Sequence, residues 1–272
     1  MKKRTLCSIA LLTVLGASLV LPAAANAEGG EARKQSGEGS IDYVEDSGKN
    51  TDKDPEDPKK PVDPPYVPNP DNGPLKIDGV STMNFKQQKA VLTDETYFAE
   101  QVKVTQADGS KENRGVYLQL TDKRIDERKK WVLRAKMTQQ FKAASGNVLS
   151  NSTISFKNPI VETDTDASVS PHAVLSSTGS TFTLDESQNI VDVLETKAAK
   201  DGFGTYTVAF GNTKAYNTAT GKGTEEDSTG TPNATDANKI ENGSVALFVP
   251  GKTVKTKEAH VAKVLWELAD VL

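Results

Sequence analysis

Trp131-Val132-Leu133-Arg134-Ala135-Lys136-Met137-Thr138 is the stretch that decides the fold. Trp131, Leu133, Ala135 and Met137 alternate with Val132, Arg134, Lys136 and Thr138, and period-two alternation sorts two sets of side chains onto the two faces of a β-strand. One set is apolar and the other mostly polar, so a strand with one wet face is predicted. The same layout returns near the C-terminus, where His260, Ala262, Val264, Trp266 and Leu268 fall on one face. Lys257 to Asp270 is also rich in helix formers, but the alternation favours a strand. Trp131 and Trp266 are the only two tryptophans, each two residues before a leucine. They lie about 135 residues apart, so a shared role requires the fold to bring the two strands together.

Outward from this stretch the texture is the same. Val116, Leu118 and Leu120 alternate with Tyr117 and Gln119, again predicting one wet face. Further strands are expected at 101–105, 148–156, 181–184, 190–194, 204–210 and 245–249, separated by turn pairs such as Asp-Gly, Ser-Gly and Asn-Pro. Many short strands with polar connections predict an all-β, sandwich-like single domain over residues 75–272. Residues 212–243, rich in Asn, Thr, Gly, Asp and Glu, read as a long surface loop, and 162–172 as a shorter one.

The N-terminal part reads differently. Lys2, Lys3 and Arg4 precede an apolar run from Ile9 to Leu21, followed by Pro22 and Ala25-Asn26-Ala27. This is the pattern of a secretory signal peptide over residues 1–27, since the run falls short of the roughly 20 residues that span a bilayer. Residues 28–74 hold 12 acidic against 6 basic residues and eight prolines, from Pro55 to Pro74. Such a stretch buries too little to offset its ordering entropy, so a disordered, extended tether is expected.

The bulk composition narrows the function classes. With 26% charged residues, 6% aromatic residues and a net charge of −4, the chain lacks the basic excess of a nucleic-acid surface. Its one cysteine, Cys7, lies in the leader, so neither disulfides nor thiolate metal sites are expected in the mature protein. Enzyme readings find little support. There are only two histidines and no Gly-x-Ser-x-Gly, phosphate-loop or His-Glu-x-x-His motif. His172 follows Pro171 in an expected loop and reads as solvated, while His260 reads as a partly buried packing residue. Asp164 and Asp166 lack the spacing of a calcium loop, and no pair of carboxylates is distinguished by context. No enzyme activity, cofactor, metal, nucleic acid or mature membrane segment is expected.

Two features keep two readings each. The run Asp122-Lys123-Arg124-Ile125-Asp126-Glu127-Arg128-Lys129-Lys130 is either a solvated hairpin loop or the border of a site for an anionic polymer, with Arg124 and Lys130 as donors. Each tryptophan is either core or an exposed platform for sugar rings.

With these motifs placed, the chain resembles the WxL-domain proteins, cell-wall surface proteins of low-GC Gram-positive bacteria. The resemblance rests on Asp122-Lys123-Arg124 leading to Trp131-Val132-Leu133 with Phe141 beyond, and on Val245-Ala246-Leu247-Phe248-Val249-Pro250 leading to Trp266-Glu267-Leu268. It implies a secreted protein held non-covalently on the cell wall by binding peptidoglycan, beside other wall surface proteins. It also implies that Trp131, Leu133, Trp266 and Leu268 matter for retention. Lys130 stands where the family commonly has Gly, and His260 where Tyr is usual. No Leu-Pro-x-Thr-Gly signal, hydrophobic tail or lipid-bearing cysteine is seen, so attachment is expected through the fold. The competing expectation is an interaction protein that binds another wall protein or host matrix, with the Trp pair as core. If one copy touches the wall, Trp131 is the expected one.

Overall fold

A computed structural model describes residues 37–126, 128–211, 216–217, 222–223 and 241–271. The expected signal peptide and most of the expected 212–243 loop lie outside them. The chain divides into Met1–Tyr43, whose described residues are exposed, and Val44–Leu272, which carries all the strands. In order these are β1 Lys53–Asp54, β2 Asp57–Asp63, β3 Leu75–Val80, β4 Glu95–Glu100, β5 Val102–Gln106, β6 Lys111–Arg114, β7 Val116–Asp122, β8 Lys130–Ala143, β9 Thr153–Lys157, β10 Pro159–Thr163, β11 Val174–Leu175, β12 Thr181–Leu184, β13 Val191–Glu195, β14 Gly204–Phe210, β15 Tyr216–Asn217, β16 Lys222–Gly223, β17 Glu241–Val249 and β18 His260–Val271. The described residues contain no helix, and the ladders are antiparallel, in keeping with an all-β fold.

Three four-stranded sheets surround one hydrophobic core: β10-β14-β7-β3, β11-β13-β8-β18 and β12-β9-β17-β4. Their inward residues come from the alternations seen in the sequence. Val116, Leu118 and Leu120 of β7 meet Trp131, Leu133, Ala135 and Met137 of β8, with Ile154, Phe156, Val245 and Leu247 from the third sheet. Phe156 ties the sheets together, stacking on Phe182 at 4.8 Å and packing tilted against Phe210 at 4.9 Å. Such aromatic pairs add roughly 0.5–1.5 kcal/mol each beyond the area they bury.

The fourth sheet, β1-β2-β5-β6, accounts for the main departure from the sequence reading. Tyr117 and Gln119 were expected on a wet face, yet β7 is buried along its whole length. The segment expected to be a free tether covers that face. Residues 28–36 lie outside the described residues, but from Asn50 onward the stretch is ordered on the domain. Gln119 accepts a hydrogen bond from the Lys53 amide at 2.7 Å and donates to the Thr51 carbonyl and to Asp78. Tyr66 packs edge-on against Tyr117 and donates to Asp52 at 2.8 Å.

Prolines do not prevent this. Their fixed φ suits extended chain, and the ladder from β2 to β5 uses Val62 and Asp63, leaving Pro58 and Pro61 outside it. The buried aspartates of the segment, Asp52 and Asp54, have partners. Asp54, 1% exposed, receives both arms of the Arg114 guanidinium at 2.6 Å, the Gln106 amide at 2.6 Å and the Glu56 backbone N–H at 3.0 Å. Burial pushes the Asp54 carboxyl up, but Arg114 and the two other donors more than offset this and hold it below the usual carboxylate range.

Candidate functional site

The two Trp-x-Leu strands are neighbours. β18 pairs with β8 so that Leu268 stands opposite Leu133, Trp266 opposite Ala135 and Asp270 opposite Trp131. The small Ala135 leaves space beside the indole across the ladder, which is a reason for the large-small pairing. Trp266 is partly buried, edge-on to Phe156 at 5.9 Å and tilted over Phe210 at 6.1 Å.

Trp131 is fully buried. Its ring meets Tyr206 edge-on at 6.1 Å, and its backbone N–H donates to the Thr196 hydroxyl at 2.9 Å. Gly202, at φ +74°, closes over the ring. A Cβ there would stand 2.9 Å from the indole Cζ2 and 2.5 Å from Thr196 Cγ2. The indole N–H has no hydrogen-bond partner among the described residues. Leu133 is likewise 0% exposed. Neither side chain presents a surface to a ligand, so of the two readings kept for Trp131 the structure shows it packed in the core.

The charged run behaves as a clamp. Arg124 grips Asp122 with two donors at 2.9 and 3.0 Å, reaches Asp270 of β18 at 3.0 Å and donates to the Lys129 carbonyl. Burial opposes its charge, while Asp122 and Asp270 raise its pKa above the ordinary value. Arg124 thus fixes the end of β7 against the end of β18, its donors engaged by Asp122, Asp270 and the Lys129 carbonyl. Arg128 lies 5.0 Å over the Phe203 ring, and Lys130 is half-buried opposite Val271.

The histidines are held rather than free. His172 shares a 2.7 Å hydrogen bond with the Thr165 carbonyl, and His260 Nε2 bonds Asn147 Oδ1 at 2.9 Å. His260 is half-buried on the face expected for it. Asp164 pairs with Lys53 at 3.0 Å, and Asp166 accepts the Ser168 amide in a turn.

A concave surface lies elsewhere, in a groove of about 860 Å³ between residues 83–90 and 255–260. Phe85, Tyr97, Phe141 and Leu247 line it, and Lys89 and Lys257 stand exposed on its rim. Lys255 is drawn inward, donating to the carbonyls of Pro250, Gly251 and Thr253. Phe141 is ten residues along β8 from Trp131, or about 33 Å of extended chain, so groove and buried Trp lie at opposite ends of one strand. Residues 83–90 carry no periodicity, so pattern reading had nothing to find there. The available hint was the separated lysines beside aromatic residues.

A family model described as WxL domain surface cell wall-binding matches residues 30–271, from the acidic segment through both Trp-x-Leu strands. No curated protein and no solved structure matches the chain. Since that match spans the covering segment, the clamp and the paired strands alike, the chain belongs to the WxL family of cell wall-binding surface domains.

Proposed function

We propose that the protein is an exported, non-enzymatic surface protein retained by non-covalent binding of peptidoglycan, with the Trp-x-Leu pair as its internal frame and the 83–90/255–260 groove as its contact surface. The observation that carries this reading is the separation of roles within the domain. The family match runs across nearly the whole chain, while Trp131 and Leu133 are fully buried and Trp266 and Leu268 are partly buried against the same core, which supports a wall contact on another surface. The groove has the chemistry for it. Sugar rings present C–H faces that pack against Tyr97, the partly exposed aromatic of a lining whose Phe85 and Phe141 are largely buried, and peptidoglycan carries carboxylates that suit Lys89 and Lys257.

The test is co-sedimentation of the protein with purified peptidoglycan across a salt series. Retention that weakens as salt rises is expected, because exposed ion pairs are screened. Absence of retention at physiological salt would remove peptidoglycan as the ligand.

A further inference from the structure

We propose that the outer edge of β18 pairs with β18 of a second copy of this chain, forming a two-fold dimer with a continuous eight-stranded sheet. The proposal does not depend on the peptidoglycan reading. Among the described residues β18 has one strand neighbour, β8, so one edge of a twelve-residue strand presents unpaired backbone groups. An edge of that length is a template for strand addition unless charge or shape blocks it.

The edge is regular. The ladder to β8 shifts register between Val261 and Val264, but the extra residues are in β8, and β18 keeps strict alternation of exposed and half-buried side chains from His260 to Leu268. Its outward face reads Val261, Lys263, Leu265, Glu267 and Ala269. Val261 is 57% and Leu265 42% exposed, so two apolar side chains stand on the solvent face beside the open edge.

The order of these residues selects both the partner and the register. In an antiparallel pair about a two-fold axis, residues directly opposite must share a face, so the axis passes through one residue of each strand. With the axis at Leu265, Lys263 faces Glu267 of the second copy twice, Leu265 faces its own equivalent, and Val261 faces Ala269. On the inner face Trp266 meets Val264, and Ala262 meets Leu268. Other registers fail. An axis at Lys263 or Glu267 sets like charges together. An axis at Val264 puts Lys263 against Leu265 and Glu267 against Val261, and an axis at Trp266 puts Glu267 against Leu265. Lys263 and Glu267 thus oppose pairing in every nearby register but one, and in that one they favour a second copy of the same strand.

Sedimentation velocity of the full chain over a concentration series tests this, with melting curves confirming that each variant is folded. A reversible dimer is expected. Lys263→Glu sets carboxylates against Glu267, and Glu267→Lys sets ammonium groups against Lys263. Each should weaken self-association by about tenfold, since cross-strand pairs contribute roughly 0.2–1 kcal/mol and both symmetric pairs change sign. The double variant K263E/E267K should dimerise again, and mixing the two single variants should give a heterodimer. A monomer at every concentration overturns the proposal. So does a dimer unaffected by the single swaps, which would place the interface elsewhere, on this chain or in a different register.

Discussion

Truncating Trp131 separates a frame residue from a ligand contact. Trp131→Ala removes a fully buried indole between Tyr206 and Gly202. Large aromatic truncations in a core cost about 3–5 kcal/mol, and a cavity beside the rigid ladder of β8 has little means of collapse. The lost edge-on contact with Tyr206 falls within that range rather than adding to it. For a domain of this size each kcal/mol lowers Tm by roughly 2–4 °C, so a drop of about 6–20 °C is expected. Trp131→Phe keeps part of the contact and should fall between the two. The assay is thermal unfolding beside peptidoglycan co-sedimentation at a temperature where each variant is still folded. The expected result is a lowered Tm with retention preserved in the folded fraction. An unchanged Tm with lost retention would refute the argument and make Trp131 a direct contact.

Three further outcomes follow from the packing. Arg114→Ala strips the buried Asp54 of its bidentate partner and should destabilise by about 3–5 kcal/mol in urea unfolding, and an unchanged midpoint would show that the segment 50–63 is not fixed by this pair. Because the folded Asp54 carboxyl lies below its ordinary value of 3.8, its contribution is fully present above that value and is lost as pH falls through the folded pKa. Protection of the amides of residues 50–63, taken relative to their intrinsic exchange rates at each pH, should therefore fall in acid ahead of the core strands, and a uniform loss of protection would contradict it. Gly202→Ala, which combines a φ of +74° with a Cβ too close to the Trp131 ring, should be destabilising by thermal melt, and a neutral result would mean that the loop can move aside.

What was legible in the sequence was whatever depends on alternation within one strand. β12 and β14 coincide with the expected 181–184 and 204–210, and β18 is a strand despite its helix-forming composition, since its edge position in a sheet rewards period two. What remained hidden depends on partners distant in sequence. Nothing in Tyr117 or Gln119 announces a second layer, because that layer is made by Pro-rich residues whose acidic side chains look solvated until Arg114 is brought to Asp54 and Tyr66 to Asp52. Likewise Arg124 reads as a free cation until Asp270, 146 residues on, arrives beside it. The groove was illegible for a different reason. Two irregular segments wall it over the strand residues Tyr97, Phe141 and Leu247, and irregular segments carry no period to read.

The central claim is that the groove, not the Trp-x-Leu pair of β8 and β18, touches the wall. Co-sedimentation of the full chain and of its Lys89→Glu/Lys257→Glu variant with purified peptidoglycan tests it most directly. The account predicts that the variant melts like the parent but is retained far less. Equal retention of a folded variant would contradict it.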